Sequence, residues 1–244
     1  SVRVGDVYRD GGGLVTLSQA MAAHGCKTLV FSSSATVYGK PERLPIREDA
    51  ALSVTNPYGA TKLMSENILR DVQVADADWK IALLRYFNPV GAHESGQIGE
   101  DPRGMPNNLM PFVAQVAIGK RERLQVFGDD YDTSDGSCVR DYIHVVDLAK
   151  AHLRALQWME EPGTAACEVF NIGTGKGNSV LEVIHAFKAA AGVPVPYVIG
   201  PRRAGDATAV YADTAKSRDV LRWTPTLTLH DALRDAWRWQ QALA

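Results

Sequence analysis

An α/β chain organised around a parallel sheet is the fold class that the sequence predicts, on three observations. Thr28-Leu29-Val30-Phe31 and Ile81-Ala82-Leu83-Leu84-Arg85-Tyr86 are short apolar runs suited to strands buried on both faces. Between them, Leu63, Met64, Ile68, Leu69 and Val72 recur at helical spacing and are expected to face a core. Strand, helix, strand in that order argues for a parallel pair joined by a right-handed crossover.

The remaining elements follow from local signals. Leu14, Leu17 and Met21 have helical spacing after Gly11-Gly12-Gly13, and Gly25 closes that helix. Asn56-Pro57 opens the next one, with proline where a missing donor costs nothing. From Asn88 to Asn108 the chain is irregular and rich in Gly and Pro, which predicts a second lobe. A helix over 109–118, a strand over 124–127, an acidic loop over 128–137 and a helix capped by Asp147 come next. Val169 to Ile172 reads as a strand, and Ser179 with Glu182 as a capping box. A strand over 195–199 and helices over 214–221 and 229–243 complete the chain. Residues 1–88 are expected to form one domain and 89–244 mainly another, with segments near 140–173 returning to the first.

Composition narrows the function classes. The 244 residues are 45% hydrophobic and 22% charged with a formal net charge of -2, as in ordinary globular proteins. No dense Lys/Arg tract asks for nucleic acid or an anionic membrane. No run of about 18 apolar residues predicts a membrane span. Cys26, Cys138 and Cys167 are odd in number and scattered, which fits neither a disulfide framework nor a zinc site. A cytoplasmic location is expected.

The chemistry lies in three residues. Tyr58 and Lys62 are four apart on a predicted helix, so they share one face. A free phenol ionises near ~10 and is a poor base at neutral pH, and an ammonium held beside it favours the phenolate. That spacing alone is common by chance. Ser34 raises its weight, because it ends a predicted parallel strand, where open α/β sheets place their ligands.

At these positions the chain resembles a known family. Ser32-Ser33-Ser34-Ala35-Thr36-Val37-Tyr38-Gly39, Asn56-Pro57-Tyr58-Gly59-Ala60-Thr61-Lys62 and Leu84-Arg85-Tyr86-Phe87-Asn88-Pro89-Val90-Gly91 are similar to the extended short-chain dehydrogenase/reductases. Pro106-Asn107-Asn108-Leu109-Met110-Pro111, Val139-Arg140-Asp141-Tyr142-Ile143-His144-Val145 and Pro201-Arg202-Arg203-Ala204-Gly205-Asp206 resemble the UDP-glucose 4-epimerases in particular. The likeness runs from about Ala20 to the C-terminus. It implies a Rossmann-like parallel sheet with a smaller α/β substrate lobe, NAD as cofactor, a UDP-sugar as substrate and a homodimer. The family's glycine fingerprint and acidic ribose partner are not found here, and the resemblance puts them in a preceding segment.

The same resemblance assigns roles. Tyr58 would take the proton from the sugar 4-hydroxyl, Lys62 would hold the phenolate and the nicotinamide ribose, and Ser34 would bond the same sugar oxygen. Ser34, Tyr58, Lys62 and Phe87 would line the cofactor. Asn88, Asn108, Gln125, Val126, Phe127, Arg140, Arg203 and Asp206 would hold the UDP-sugar. Two arginines suit a diphosphate, and a carboxylate suits ribose hydroxyls. Val210 stands where related epimerases carry Tyr, Cys or Ser, so room for an N-acetyl group is expected. Ala35 and Thr36 replace the Asp-Glu pair of the related dehydratases, which disfavours water elimination. Two alternatives stay open: a catalytically dead UDP-sugar-binding fragment lacking NAD, and another sugar-nucleotide oxidoreductase or decarboxylase.

Two patterns are expected to be structural. Gly173-Thr174-Gly175-Lys176-Gly177 has neither the Walker A nor the GxGxxG spacing and reads as a strand-to-helix turn. His144 and Asp147 lack a further ligand at metal spacing.

Overall fold

A computed structural model describes residues 4–106, 108–164 and 166–243, with side chains from residue 11 onward. In chain order the elements are α1 (Val4–Ala23), β1 (Thr28–Ser34), a 3-10 turn (Ala35–Tyr38), α2 (Pro57–Ala75), β2 (Lys80–Tyr86), β3 (Asn88–Val90) and α3 (Leu109–Ala117). Then come β4 (Leu124–Phe127), β5 (Val139–His144), α4 (Val145–Glu160), β6 (Cys167–Ile172), β7 (Gly177–Ser179) and α5 (Val180–Ala191). Last are β8 (Tyr197–Gly200), β9 (Ala209–Val210), α6 (Ala215–Asp219) and α7 (Leu229–Ala242). The chain divides into two units, 1–86 with 150–172 and 213–224, and 87–149 with 173–212 and 225–244. The first unit thus regains chain only from Lys150, ten residues later than expected, and regains it a second time at Asp213.

The first unit is built on the parallel sheet β1-β2-β6. Its register runs Ser34↔Tyr86 across the first pair and Tyr86↔Ile172 across the second, so the three strands end together. β2 is central, and Ile81 to Leu84 are fully buried. β1 is paired on one side only among the described residues, and Leu29, Val30 and Phe31 are half-buried, not enclosed on both faces as expected. Leu14, Leu69, Trp79, Ile81, Leu83 and Val169 form this unit's core.

Two helices depart from their predicted faces. α1 runs through Gly11, Gly12 and Gly13 instead of starting after them, and Leu17 is exposed while Leu14 and Ser18 are buried. α2 starts as predicted, Asn56 accepting from Gly59 N at 2.8 Å with Pro57 in the first turn. Met64, expected in the core, is exposed, and the buried face carries Thr61, Ser65, Glu66 and Leu69. The reason is a buried ion pair. Arg85 of β2 forks onto Glu66 at 2.9 Å (Nε–Oε1) and 2.6 Å (Nη2–Oε2), and Ser33 donates to Oε1 at 2.5 Å. A carboxylate and a guanidinium must meet partners when buried, so this pair fixes which side of α2 turns inward.

The turn after Ser34 ends at Gly39, whose φ is +62°. A Cβ there would lie 1.6 Å from the Ser53 carbonyl oxygen. Gly39→Ala therefore combines a left-handed backbone with a clash against main chain, and is expected to cost about 3 kcal/mol. Urea unfolding of the two proteins checks it.

The second unit holds a mixed sheet in which β5 pairs β3 and β9 in parallel and β7 antiparallel, and a separate parallel pair β4-β8. Val113, Val126, Val183, Phe187 and Leu233 are among its core residues. The predicted capping box of Ser179 and Glu182 opens α5, and Thr228 with Asp231 forms another on α7. Asp147 lies inside the first turn of α4 instead of before it, and accepts from Thr226 N and Leu227 N at 2.7 Å. Its carboxylate thus serves a neighbouring loop's donors.

Candidate active site

In the first unit, the candidate residues gather where the parallel strands end. Ser34 closes β1 with extended backbone, and its Oγ accepts from Thr36 N at 3.2 Å and from Thr36 Oγ1 at 2.9 Å. With both acceptor positions taken, the Ser34 proton is left to donate outward. Tyr58 stands in the first turn of α2 and is 44% exposed. One turn on, the Lys62 ammonium lies 5.7 Å from the Tyr58 ring centre and 5.3 Å from that of Phe31 on β1. Phe31 is thus a ledge that keeps the cation beside the phenol, a cation–π contact the strand pattern did not disclose.

The helix carrying Tyr58 is set close against the turn carrying Ser34. A Cβ at Gly59 would lie 2.9 Å from the Thr36 carbonyl oxygen, so only glycine allows this approach. Ala35 is buried, and Thr36 spends its hydroxyl on Ser34. Neither side chain offers a carboxyl group.

A second tyrosine, Tyr86, ends β2 opposite Ser34. Its hydroxyl donates to Ser32 Oγ at 2.7 Å and meets His152 Nε2. Burial pushes Tyr86 up to about 12, Ser32 pulling slightly the other way and Tyr58 adding to the rise. Tyr86 therefore keeps its proton at neutral pH, and of the two phenols Tyr58 is the one placed to exchange it. The hydroxyl, phenol and ammonium of Ser34, Tyr58 and Lys62 are a donor set that fits the ribose and nicotinamide end of a dinucleotide.

In the second unit, one group of candidates comes together. Asp206 accepts from Arg203 at 3.1 and 2.9 Å, and Arg140 Nη2 lies 3.8 Å from its Oδ1. The Arg203 guanidinium sits 5.5 Å from the Phe127 ring centre, and Val210 pairs with Arg140 in the β5-β9 register. Arg140 is tied down by bonds from Nη1 to the Val139 and Ala207 carbonyls, both at 2.8 Å, whereas Arg203 is 60% exposed. Asn88 stands opposite Tyr142, two residues along β5 from Arg140. Gln125 and Phe127 point out of β4, but the Val126 side chain is in the core, so only its main chain is available to a ligand. Phe87 is likewise buried. Asn108 precedes α3 without a side-chain capping bond and donates to Glu100 at 3.4 Å. Asn107 lies outside the described residues. A cavity of about 510 Å³, lined by apolar groups such as Met110, Val146 and Trp239, contains none of these candidates.

The glycine-rich loop at 173–177 does bind an anion, but one of the protein's own. Asp141 accepts from Thr174 N, Thr174 Oγ1, Gly175 N and Ala212 N at 2.6 to 3.2 Å. Burial raises its carboxyl above the usual range and these donors offset part of the rise. A Cβ at Gly173 would meet Asp141 Oδ2 at 2.5 Å, so the glycine admits a carboxylate, not a phosphate. His144 faces Asp235 at 3.4 Å.

The model of the NAD dependent epimerase/dehydratase family matches residues 4–173. UDP-glucose 4-epimerase GEPI48 of Cyamopsis tetragonoloba is 59% identical over 227 residues, 93% of this chain and 65% of that protein. The chain thus spans just under two thirds of that relative's length. Two solved structures are similar throughout. UDP-glucose 4-epimerase from Bifidobacterium longum, in complex with NAD+ and UDP, has a TM-score of 0.93 at 52% identity, covering 98% of this chain and 71% of that one. UDP-glucose-4-epimerase from Stenotrophomonas maltophila, with NAD and formylated UDP-arabinopyranose bound, has 0.94 at 47%, covering 100% and 74%.

Proposed function

Since the chain belongs to the NAD dependent epimerase/dehydratase family, we propose that it carries the proton-transfer and nucleotide-recognition residues of a UDP-glucose 4-epimerase. The observation that carries this reading is the grouping of Ser34, Tyr58 and Lys62 at the strand ends, with Ala35 and Thr36 beside them instead of two carboxylates. Tyr58 removes the proton of the sugar 4-hydroxyl, and Ser34 donates to the same oxygen. Lys62 stabilises the phenolate and holds the cofactor ribose. Ser34, Tyr58 and Lys62 would hold NAD, which when bound would supply reversible hydride chemistry at C4. The residues keep the 4-keto sugar in place and give the proton back, so neither cofactor nor proton is consumed overall.

Arg140, Arg203 and Asp206 serve the diphosphate and ribose, and Phe127 the base. Asp206 holds Arg203 through both edges of its guanidinium, so the group offered to the nucleotide is oriented by that carboxylate. A homodimer in the cytoplasm belongs to the same reading, and sedimentation equilibrium tests the first half of it.

The test is to supply UDP-galactose to the intact polypeptide and follow products and free NADH together. UDP-glucose without net NADH is the expected result. Binding without turnover, or net cofactor reduction, would overturn it. The modest Val210 side chain adjoining Arg140 adds a second expectation, that kcat/KM for the UDP-N-acetylhexosamines falls within about tenfold of that for the parent sugars. Strong rejection of the acetylated pair would sink it.

A further inference from the structure

Resting on that reading of Ser34, Tyr58 and Lys62, we infer that Glu66 is a positioning residue, which with Ser33 and Arg85 clamps the helix bearing Tyr58 and Lys62 against the strand bearing Ser34. No chemistry of the site requires a charge at this place. Glu66 lies one helical turn beyond Lys62 and two beyond Tyr58, on the side of α2 that faces the sheet. Its carboxylate receives Ser33, the residue before Ser34 on β1, and both edges of the Arg85 fork from β2. Arg85 is itself fixed at its other end, donating from Nη1 to Tyr38 Oη at 2.9 Å and to the Glu48 carbonyl at 3.3 Å. Tyr38 in turn donates to Asn171 of β6 at 2.7 Å. The clamp is therefore continuous from α2 through all three strands of the sheet.

A second contact joins α2 to the turn that follows β1. Gly59, next to Tyr58, abuts the Thr36 carbonyl, and Thr36 holds Ser34. Ser34 thus lies in sequence between Ser33 and Thr36, while Gly59 adjoins Tyr58 and Glu66 follows Lys62 by one helical turn. A hydrogen-bonded point at Ser33–Glu66 and a steric one at Gly59–Thr36 together define the spacing between a hydroxyl and a phenol, the first because hydrogen bonds lose strength quickly with angle and the second because the main chain there leaves no room for a side chain. The Phe31 ledge under Lys62 belongs to the same strand and shares its registration.

The experiment reads Tyr58 directly. Ser33→Ala removes the bond to β1 while leaving Arg85 paired, and Glu66→Leu with Arg85→Met removes the clamp without leaving a lone buried charge. Each is made in the intact polypeptide with and without Tyr58→Phe, and the difference in tyrosinate absorbance against pH isolates the ionisation of Tyr58. The midpoint is expected to rise by about half a unit or more in both variants, since a displaced Ser34 and Lys62 no longer favour the phenolate. An unchanged midpoint in folded Ser33→Ala protein would overturn the inference, and that variant decides alone should the double one fail to fold. Turnover is measured alongside and judges the other reading. A wild-type protein without epimerisation would refute the proposed function, yet the titration would still decide whether Glu66 positions Tyr58.

Discussion

Tyr58→Phe is expected to lower kcat by about a thousandfold while leaving the unfolding transition in place. The size follows from removing a single placed acid–base group, an effect commonly worth ~10²- to 10⁴-fold. Stability is spared because Tyr58 is 44% exposed, and phenylalanine keeps the ring beside which Lys62 lies. KM for the UDP-sugar should change little, since the proposed function assigns nucleotide recognition to Arg140, Arg203 and Asp206 and not to the phenol. The neighbouring tyrosine is the control. Tyr86 is held protonated by burial, with its hydroxyl engaged by Ser32 and His152, so it does not release its proton near neutral pH. Tyr86→Phe should therefore lower kcat far less than Tyr58→Phe. Equal losses from the two would show that Tyr58 is not the base. Steady-state kinetics with UDP-galactose, beside a thermal melt of each variant, makes the comparison.

The grouping of Ser34, Tyr58 and Lys62 was legible in the sequence because its signals are local. Asn56-Pro57 announces the helix start, and a four-residue spacing then sets Tyr58 and Lys62 on one face. The strand runs at 28–31 and 81–86 fixed the parallel pair, whose common end positions Ser34. What stayed hidden depends on partners distant in sequence. Glu66 has the look of a solvent-facing helix residue, and only the chain's return through Arg85 lets it be as fully enclosed as Leu69 on the same helix. Met64 was assigned to the core by the same periodicity and is turned out because Glu66 and Ser65 take the inner face. Phe31 reads as strand filler until Lys62 is found above it, and Thr36 reads as a turn residue until its hydroxyl is found on Ser34. Val126 illustrates the reverse limit: a resemblance names a segment, whereas alternation along β4 decides that the Val126 side chain belongs to the core.

The largest stability loss is expected from Arg85→Met alone, about 3–5 kcal/mol, with most of it recovered when Glu66→Leu is added. Glu66 is fully buried, and removing Arg85 strips its carboxylate of both fork bonds, leaving the Ser33 bond and the half-exposed Arg70 at 3.6 Å. An uncompensated buried charge is costly, whereas an apolar pair of similar volume is often neutral or better. The dependence on pH distinguishes this cause from a packing defect. In the wild-type protein, burial by itself would lift the Glu66 carboxyl, but Arg85, Ser33 and Arg70 hold it below the usual range. A depressed carboxyl contributes stability that is present above the unfolded value of about 4.3 and is lost as pH falls through the folded one. Without Arg85 the sign reverses. Burial then raises the Glu66 carboxyl, so the variant loses stability as pH climbs above ~4.3 and regains it on acidification. The gap between wild type and Arg85→Met should thus be widest near neutrality and narrow toward pH ~4, while the double variant shows no such trend. A cavity left by a shortened side chain would cost the same at every pH, so a gap independent of pH in urea titrations would assign the loss to packing and remove the ion pair from the account.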